Sequence, residues 1–158
     1  MNFEEFLQSP MAYLAPEKAL EGLTAQQAET KPHDAPHSIA EVVAHMAFWQ
    51  KWFCYRIEGV DSPMAEHAAE GWPAVIPGSW PELHASFVED LATLVKLSKS
   101  MDQTAPVTPA IPFPPMTNYT MGEALTHVAL HNAHHIGQVI TLRQIQGLWP
   151  PPAGSWTW

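Results

Sequence analysis

The sequence predicts an all-α fold: a four-helix bundle with long connections and a Trp/Pro-rich C-terminal tail. Two observations carry that prediction. First, Ser38-Ile39-Ala40-Glu41, Ser79-Trp80-Pro81-Glu82 and Thr120-Met121-Gly122-Glu123 each place a hydroxyl residue three positions before a glutamate. In such a capping box the hydroxyl and the carboxylate satisfy backbone N–H groups that the first helical turn leaves without partners. Second, apolar residues recur at helical spacing behind each box, while no alternating β pattern runs for more than a few residues.

In chain order, a first helix is expected over about Pro10 to Leu23, kinked at Pro16, with a short helical turn in "LTAQQAE". The second spans Ser38 to Glu58, with Ile39, Val42, Val43, Met46, Trp49, Phe53 and Ile57 on its apolar stripe and Gly59 as its stop. Leu83, Phe87, Leu91, Leu94, Val95 and Met101 mark the third, where Pro81 fits the first turn because its missing N–H has no helical partner there. The fourth runs from about Thr120 to Gln146, stopped by Gly147 and "WPPP". "WPAVIPG" is apolar but broken by prolines and reads as loop. Connections fall at residues 59–78 and 102–119, and the proline-rich 105–115 stretch is expected to lie extended across the bundle. One domain over residues 1–158 suits this length.

Composition narrows the function classes. Hydrophobic residues make up 46% and charged residues 15%, so a packed core is expected. The formal charge is −9 and no Lys/Arg cluster occurs, which argues against nucleic acid and against an anionic membrane surface. Cys54 is the single cysteine, so neither an internal disulfide nor a cysteine zinc cluster can form. "MNFEEFLQSP" has no basic start and no apolar run, and the expectation is a cytoplasmic protein.

The chemistry concentrates in "HVALHNAHHIGQ", which holds four of the nine histidines. On a helix, at about 100° per residue, His127, His131 and His135 step along one edge of the cylinder, with His134 and Gln138 in the same arc. Histidines four apart can both reach one ion, and two such pairs exist, His127/His131 and His131/His135. A third ligand must come from another helix. His45 lies at the shoulder of the second helix's stripe, His84 in the first turn of the third, and His33, His37 and His67 in loops. The competing readings are hydrogen-bonded core histidines and a solvated helix face. Cys54, in a tryptophan-rich helix without a histidine beside it in sequence, reads as a buried structural thiol.

"SIAEVVAHMAFWQKWF", followed much later by "ALTHVALHNAHHIGQVITLRQIQG", resembles the DinB-like family of metal-binding four-helix bundles. "LEGLTAQQAETKP" is similar to that family's link between its first two helices. The resemblance implies a ligand set of one histidine on the second helix and a His-x-x-x-His pair, followed by x-x-Gln, on the fourth. By position these are His45, His131 and His135, with Gln138 completing the pattern. The sequence departs from relatives at Ile136, where an arginine is frequent, which weakens the case for an anionic substrate group held there.

Three neutral histidines with open positions describe a catalytic rather than a closed structural site. Imidazole ligands suit Zn, Ni, Cu or Fe, with Zn or Ni the expected divalent transition metal. The resemblance implies a small-molecule substrate, a low-molecular-weight thiol among the candidates, and either thiol S-transfer or metal-dependent hydrolysis; it also implies a homodimer. The alternative is a metal- or small-ligand-binding bundle without turnover. No carboxylate sits one turn from a ligand as in His-Glu-x-x-His, so His127 and His134 are the candidates for acid–base help. Trp49 and Trp52 are candidates for a pocket wall, and the apolar tail ending in Trp156 and Trp158 is expected to pack on its own bundle or a partner's.

Overall fold

The computed structural model describes residues 2–8 and 13–155. Among these residues the chain is all-α, with helices α1 (Phe3–Gln8), α2 (Pro16–Leu20), α3 (Ala25–Glu29), α4 (Ile39–Ile57), α5 (Trp80–Ser100) and α6 (Met121–Ile145). Short 3-10 turns at Ala68–Gly71 and Pro114–Met116 punctuate the two long connections. The long helix α4 packs between α5 and α6, and α1 packs against both α5 and α6 from the other side. The bundle's first rod is therefore segmented into α1 and α2.

That segmentation differs from the single kinked helix expected over Pro10 to Leu23. Pro16 opens α2 instead of bending a continuous helix, and Ala15 before it is extended at φ −50° and ψ 136°. Proline disfavours helical backbone in the residue that precedes it, while it fits the first helical position itself. The upstream part of the expected helix, residues 10–12, lies outside the described residues.

Two of the three expected capping boxes form. Ser38 Oγ accepts from Glu41 N–H at 3.1 Å while Glu41 Oε2 accepts from Ser38 N–H at 2.8 Å. Thr120 and Glu123 repeat the pattern at 3.2 and 2.8 Å. The box expected at Ser79 does not form: with φ −86° and ψ 3°, Ser79 makes no side-chain cap. Glu29 of α3 caps α5 instead, accepting from Gly78 N–H at 2.8 Å and Trp80 N–H at 3.0 Å. A further box, Thr24 with Gln27, opens α3, where the sequence reading placed only a helical turn.

Side chains from α4, α5 and α6 build two apolar clusters, one on Phe53, Leu91, Leu94 and Leu125, the other on Val43, Met46, Phe87, Ile136 and Val139. A polar layer crosses the bundle between them. Gln50 Nε2 donates to the Phe87 carbonyl at 2.7 Å, and Asn132 Nδ2 donates to Gln50 Oε1 at 2.8 Å. Cys54 sits in the first cluster, its thiol pushed up to about 12, chiefly by burial. A thiol held that high is neutral near pH 7 and a poor nucleophile.

The long connections are fastened by one cation. Arg56, fully buried near the end of α4, donates to Asp61 at 2.7 Å and to the carbonyls of Ser62, Pro109 and Ala110. Residues 105–107 run beside 119–121, with Val107 N–H donating to Tyr119 O at 2.9 Å and Met121 N–H to Ala105 O at 2.9 Å. The described part of the tail packs on its own bundle. Pro152 lies so close to Gly22 (φ +74°) that a Cβ there would sit 2.7 Å from the proline ring. Ala153 N–H donates to Glu21 at 3.2 Å, while Trp156 and Trp158 lie outside the described residues. No described helix is long and apolar enough to cross a membrane.

Candidate metal centre

The site forms where the polar layer meets α4 and α6. His45 projects from α4, and His131 and His135 lie one turn apart on α6. One nitrogen from each ring lies within 4.8 Å of the others, and no other group of three or more His, Cys, Asp or Glu side chains among the described residues has metal-site spacing. His45 and His135 are buried and His131 is half-buried.

Two hydrogen bonds fix how the rings present themselves. His45 Nδ1 meets the Gly71 carbonyl at 2.6 Å, and His135 Nδ1 meets Gln138 Oε1 at 2.7 Å. Both partners are oxygen acceptors, so Nδ1 carries the hydrogen in each ring and Nε2 is left with its lone pair. His131 Nε2 lies 3.1 Å from His45 Nε2. In a tetrahedral site with metal–nitrogen bonds of about 2.0–2.1 Å, ligand nitrogens stand ~3.3 Å apart. The spacing and the preset tautomers therefore fit a shared divalent cation.

The electrostatics favour neutral rings, the form that coordinates. Burial, reinforced by His135, His45 and His127, lowers the pKa of His131 to about 3. Burial is also the leading cause that holds His45 and His135 below the usual imidazole range. Desolvation penalises the charged ring, and protonating one imidazole of a cluster penalises the next.

The 59–78 connection supplies an outer shell that sequence reasoning missed. Trp72 stacks on His45 with ring centroids 4.0 Å apart and on His37 at the same distance, lying between the two rings. Gly71 passes so close to Trp49 that a Cβ would lie 2.7 Å from Trp49 Nε1. Glycine thus lets the backbone approach closely enough for its carbonyl to reach His45. Trp72 opens the "WPAVIPG" stretch that reads as loop, and the acceptor beside it is a backbone carbonyl that leaves no side-chain signature.

A cavity of about 360 Å³ adjoins the three histidines, walled by Trp49, Phe53, Met64, Phe113, Met116 and Val128. Trp49 therefore lines it as expected, whereas Trp52 is buried in the core with its Nε1 donating to Pro63 O at 2.8 Å. His127 also lines the cavity, 3.2 Å from the Tyr119 hydroxyl through Nδ1 and packed against the Phe53 ring. His134 is exposed, its ring 4.9 Å from that of His135, and borders a separate groove with His33 and His37. The two acid–base candidates thus face different spaces. Ile136 is fully buried in the second apolar cluster and does not line the cavity.

Among curated proteins, none matches this chain. The family model of the DinB superfamily matches residues 15–139, a span that includes His45, His131, His135 and Gln138 and most of the bundle. On that match, the chain belongs to the DinB superfamily.

Proposed function

We propose that this protein binds one divalent transition metal, Zn or Ni foremost, through His45, His131 and His135, and uses it to activate a small thiol or water for transfer or hydrolysis. The observation that carries this reading is the convergence of three neutral imidazoles from two helices, two of them held through Nδ1 by oxygen acceptors. When bound, the cation would supply Lewis acidity and lower the pKa of a thiol or water that reaches it. The protein's part is to hold the rings neutral, to orient them through Gly71 and Gln138, and to shield one side with Trp72.

His127 is the acid–base candidate of this reading, because it shares the cavity with the three histidines and Tyr119 orients its ring. His134 is the weaker candidate, since it does not line that cavity. A second reading, metal binding without turnover, draws support from a cavity that no carboxylate lines. The reading includes a cytoplasmic homodimer, for which Leu130 and Ile145, 59% and 62% exposed on α6, offer apolar contact surface.

The test loads zinc or nickel onto chelator-stripped protein and follows thiol consumption with an electrophile, and ester or amide hydrolysis, against the stripped protein. Turnover that appears with metal and vanishes with His131→Ala supports the enzymatic reading. Tight metal binding with no turnover on either substrate class supports the second.

A further inference from the structure

We propose that the cavity beside the three histidines takes a ligand with an uncharged aromatic or aliphatic body, its donor atom at the histidines and a second hydrogen-bonding group at His127. This inference rests on the metal-binding reading above and names the substrate class for the same site.

The wall chemistry carries the first half. A volume of about 360 Å³ falls in the range of small-molecule sites, ~300–1,000 Å³. Apart from the histidines, its lining is aromatic or aliphatic but for Gln50, and no Lys, Arg, Asp or Glu contributes. A carboxylate or phosphate carried on the ligand's body, away from the metal, would lose hydration with no Lys or Arg opposite it, in a chain of net charge −9. An apolar body would exchange water for Phe53, Met116 and Val128.

The polar inventory carries the second half. Gln50 is committed, its Nε2 to the Phe87 carbonyl and its Oε1 to Asn132. That leaves His127 as the polar wall group outside the metal set. Tyr119 occupies Nδ1 of that ring, so Nε2 is the atom left to offer. Nε2 donates where the tyrosine hydroxyl donates to Nδ1 and accepts where the ring donates to the hydroxyl, and a ligand hydroxyl can meet either. His127 and His131 are one helical turn apart, which sets the two polar ends of the ligand ~6 Å from each other.

The experiment uses the full chain loaded with cobalt(II), whose sulfur-to-cobalt absorption reports thiol binding. Phenylmethanethiol should bind about tenfold or more tighter than 4-(mercaptomethyl)benzoate, which brings the same donor atom and ring with a negative charge that cannot reach the cobalt. Phe113→Lys, at a position 41% exposed, should close most of that gap by adding a cation to the wall. A ring hydroxyl, in 4-(mercaptomethyl)phenol, should tighten binding several-fold in the native protein and not in His127→Phe. 4-(Mercaptomethyl)benzoate binding as tightly as phenylmethanethiol, or an equal hydroxyl gain in both proteins, would overturn the inference. Protein that shows no cobalt spectrum before thiol is added would instead refute the metal reading on which it rests.

Discussion

Gln138→Leu isolates the outer shell of the metal centre without touching a ligand. Gln138 is exposed on α6, so the exchange leaves the packed core alone, yet its Oε1 is the acceptor that holds His135 Nδ1 at 2.7 Å. Losing it frees His135 to rotate and to place its hydrogen on Nε2, the nitrogen that should face the metal. A neutral hydrogen bond contributes about 0.5–1.5 kcal/mol net, and an exposed one belongs inside that range. Since about 1.4 kcal/mol is tenfold, zinc affinity should fall by ~3–10-fold, the lower edge of what outer-shell changes usually cost. His131→Ala removes a ligand and should cost far more, whereas His134→Ala, exposed beside His135, should cost almost nothing. Competition against a colorimetric zinc chelator at neutral pH measures all three. If Gln138→Leu binds zinc as the native protein does, the hydrogen bond does not orient the ring; if His134→Ala loses more than Gln138→Leu, the wrong residues have been placed in the shell.

Other outcomes follow from the same structure. Burial holds His45, His131 and His135 below their unfolded pKa of ~6.5, so between the two values the unfolded chain binds more protons and stability falls as pH drops. For His131 that window reaches down to about 3. Metal-free protein should therefore melt lower at each step below pH ~6.5, by at most about 1.4 kcal/mol per pH unit for one histidine, and a flat melting profile from neutral pH to pH ~5 would count against buried neutral rings. Arg56→Leu should destabilise the fold by about 2–6 kcal/mol in chemical denaturation, about 1–3 for each of the Pro109 and Ala110 carbonyls it strands; a change within experimental error would mean that the loops are held by other contacts. Deleting residues 150–158 removes the Pro152 contact with Gly22 and the Ala153 bond to Glu21, and should lower Tm by ~2–4 °C for each kcal/mol lost or shift the elution volume. No change in either would sink the packing account of the tail.

Local signals made the long helices readable. Ser38 with Glu41 and Thr120 with Glu123 are contacts three residues apart, and both formed as their sequence pattern suggests. Ser79 shows the limit of the same signal: the α5 N-terminus is close to Glu29, some fifty positions upstream in the chain, and a tertiary carboxylate took the cap. The kink expected at Pro16 is instead a helix start, because the backbone before the proline is extended. At the site, the one-turn spacing of His131 and His135 is written in the sequence, and the fold brings His45 to them across the bundle. Gly71 and Trp72 were not legible because they reach His45 from a loop whose path no periodicity encodes. Arg56 was missed for a related reason: its partners are mostly backbone carbonyls, invisible as residue types.

X-ray absorption on the zinc-loaded protein at neutral pH tests the three-histidine assignment most directly. The account predicts a shell of nitrogen and oxygen only, at about 2.0–2.1 Å, with outer-ring scattering from three imidazoles in the native protein and from two in His131→Ala. A sulfur neighbour at about 2.3 Å, or the same three-imidazole signature after His131 is removed, would contradict it.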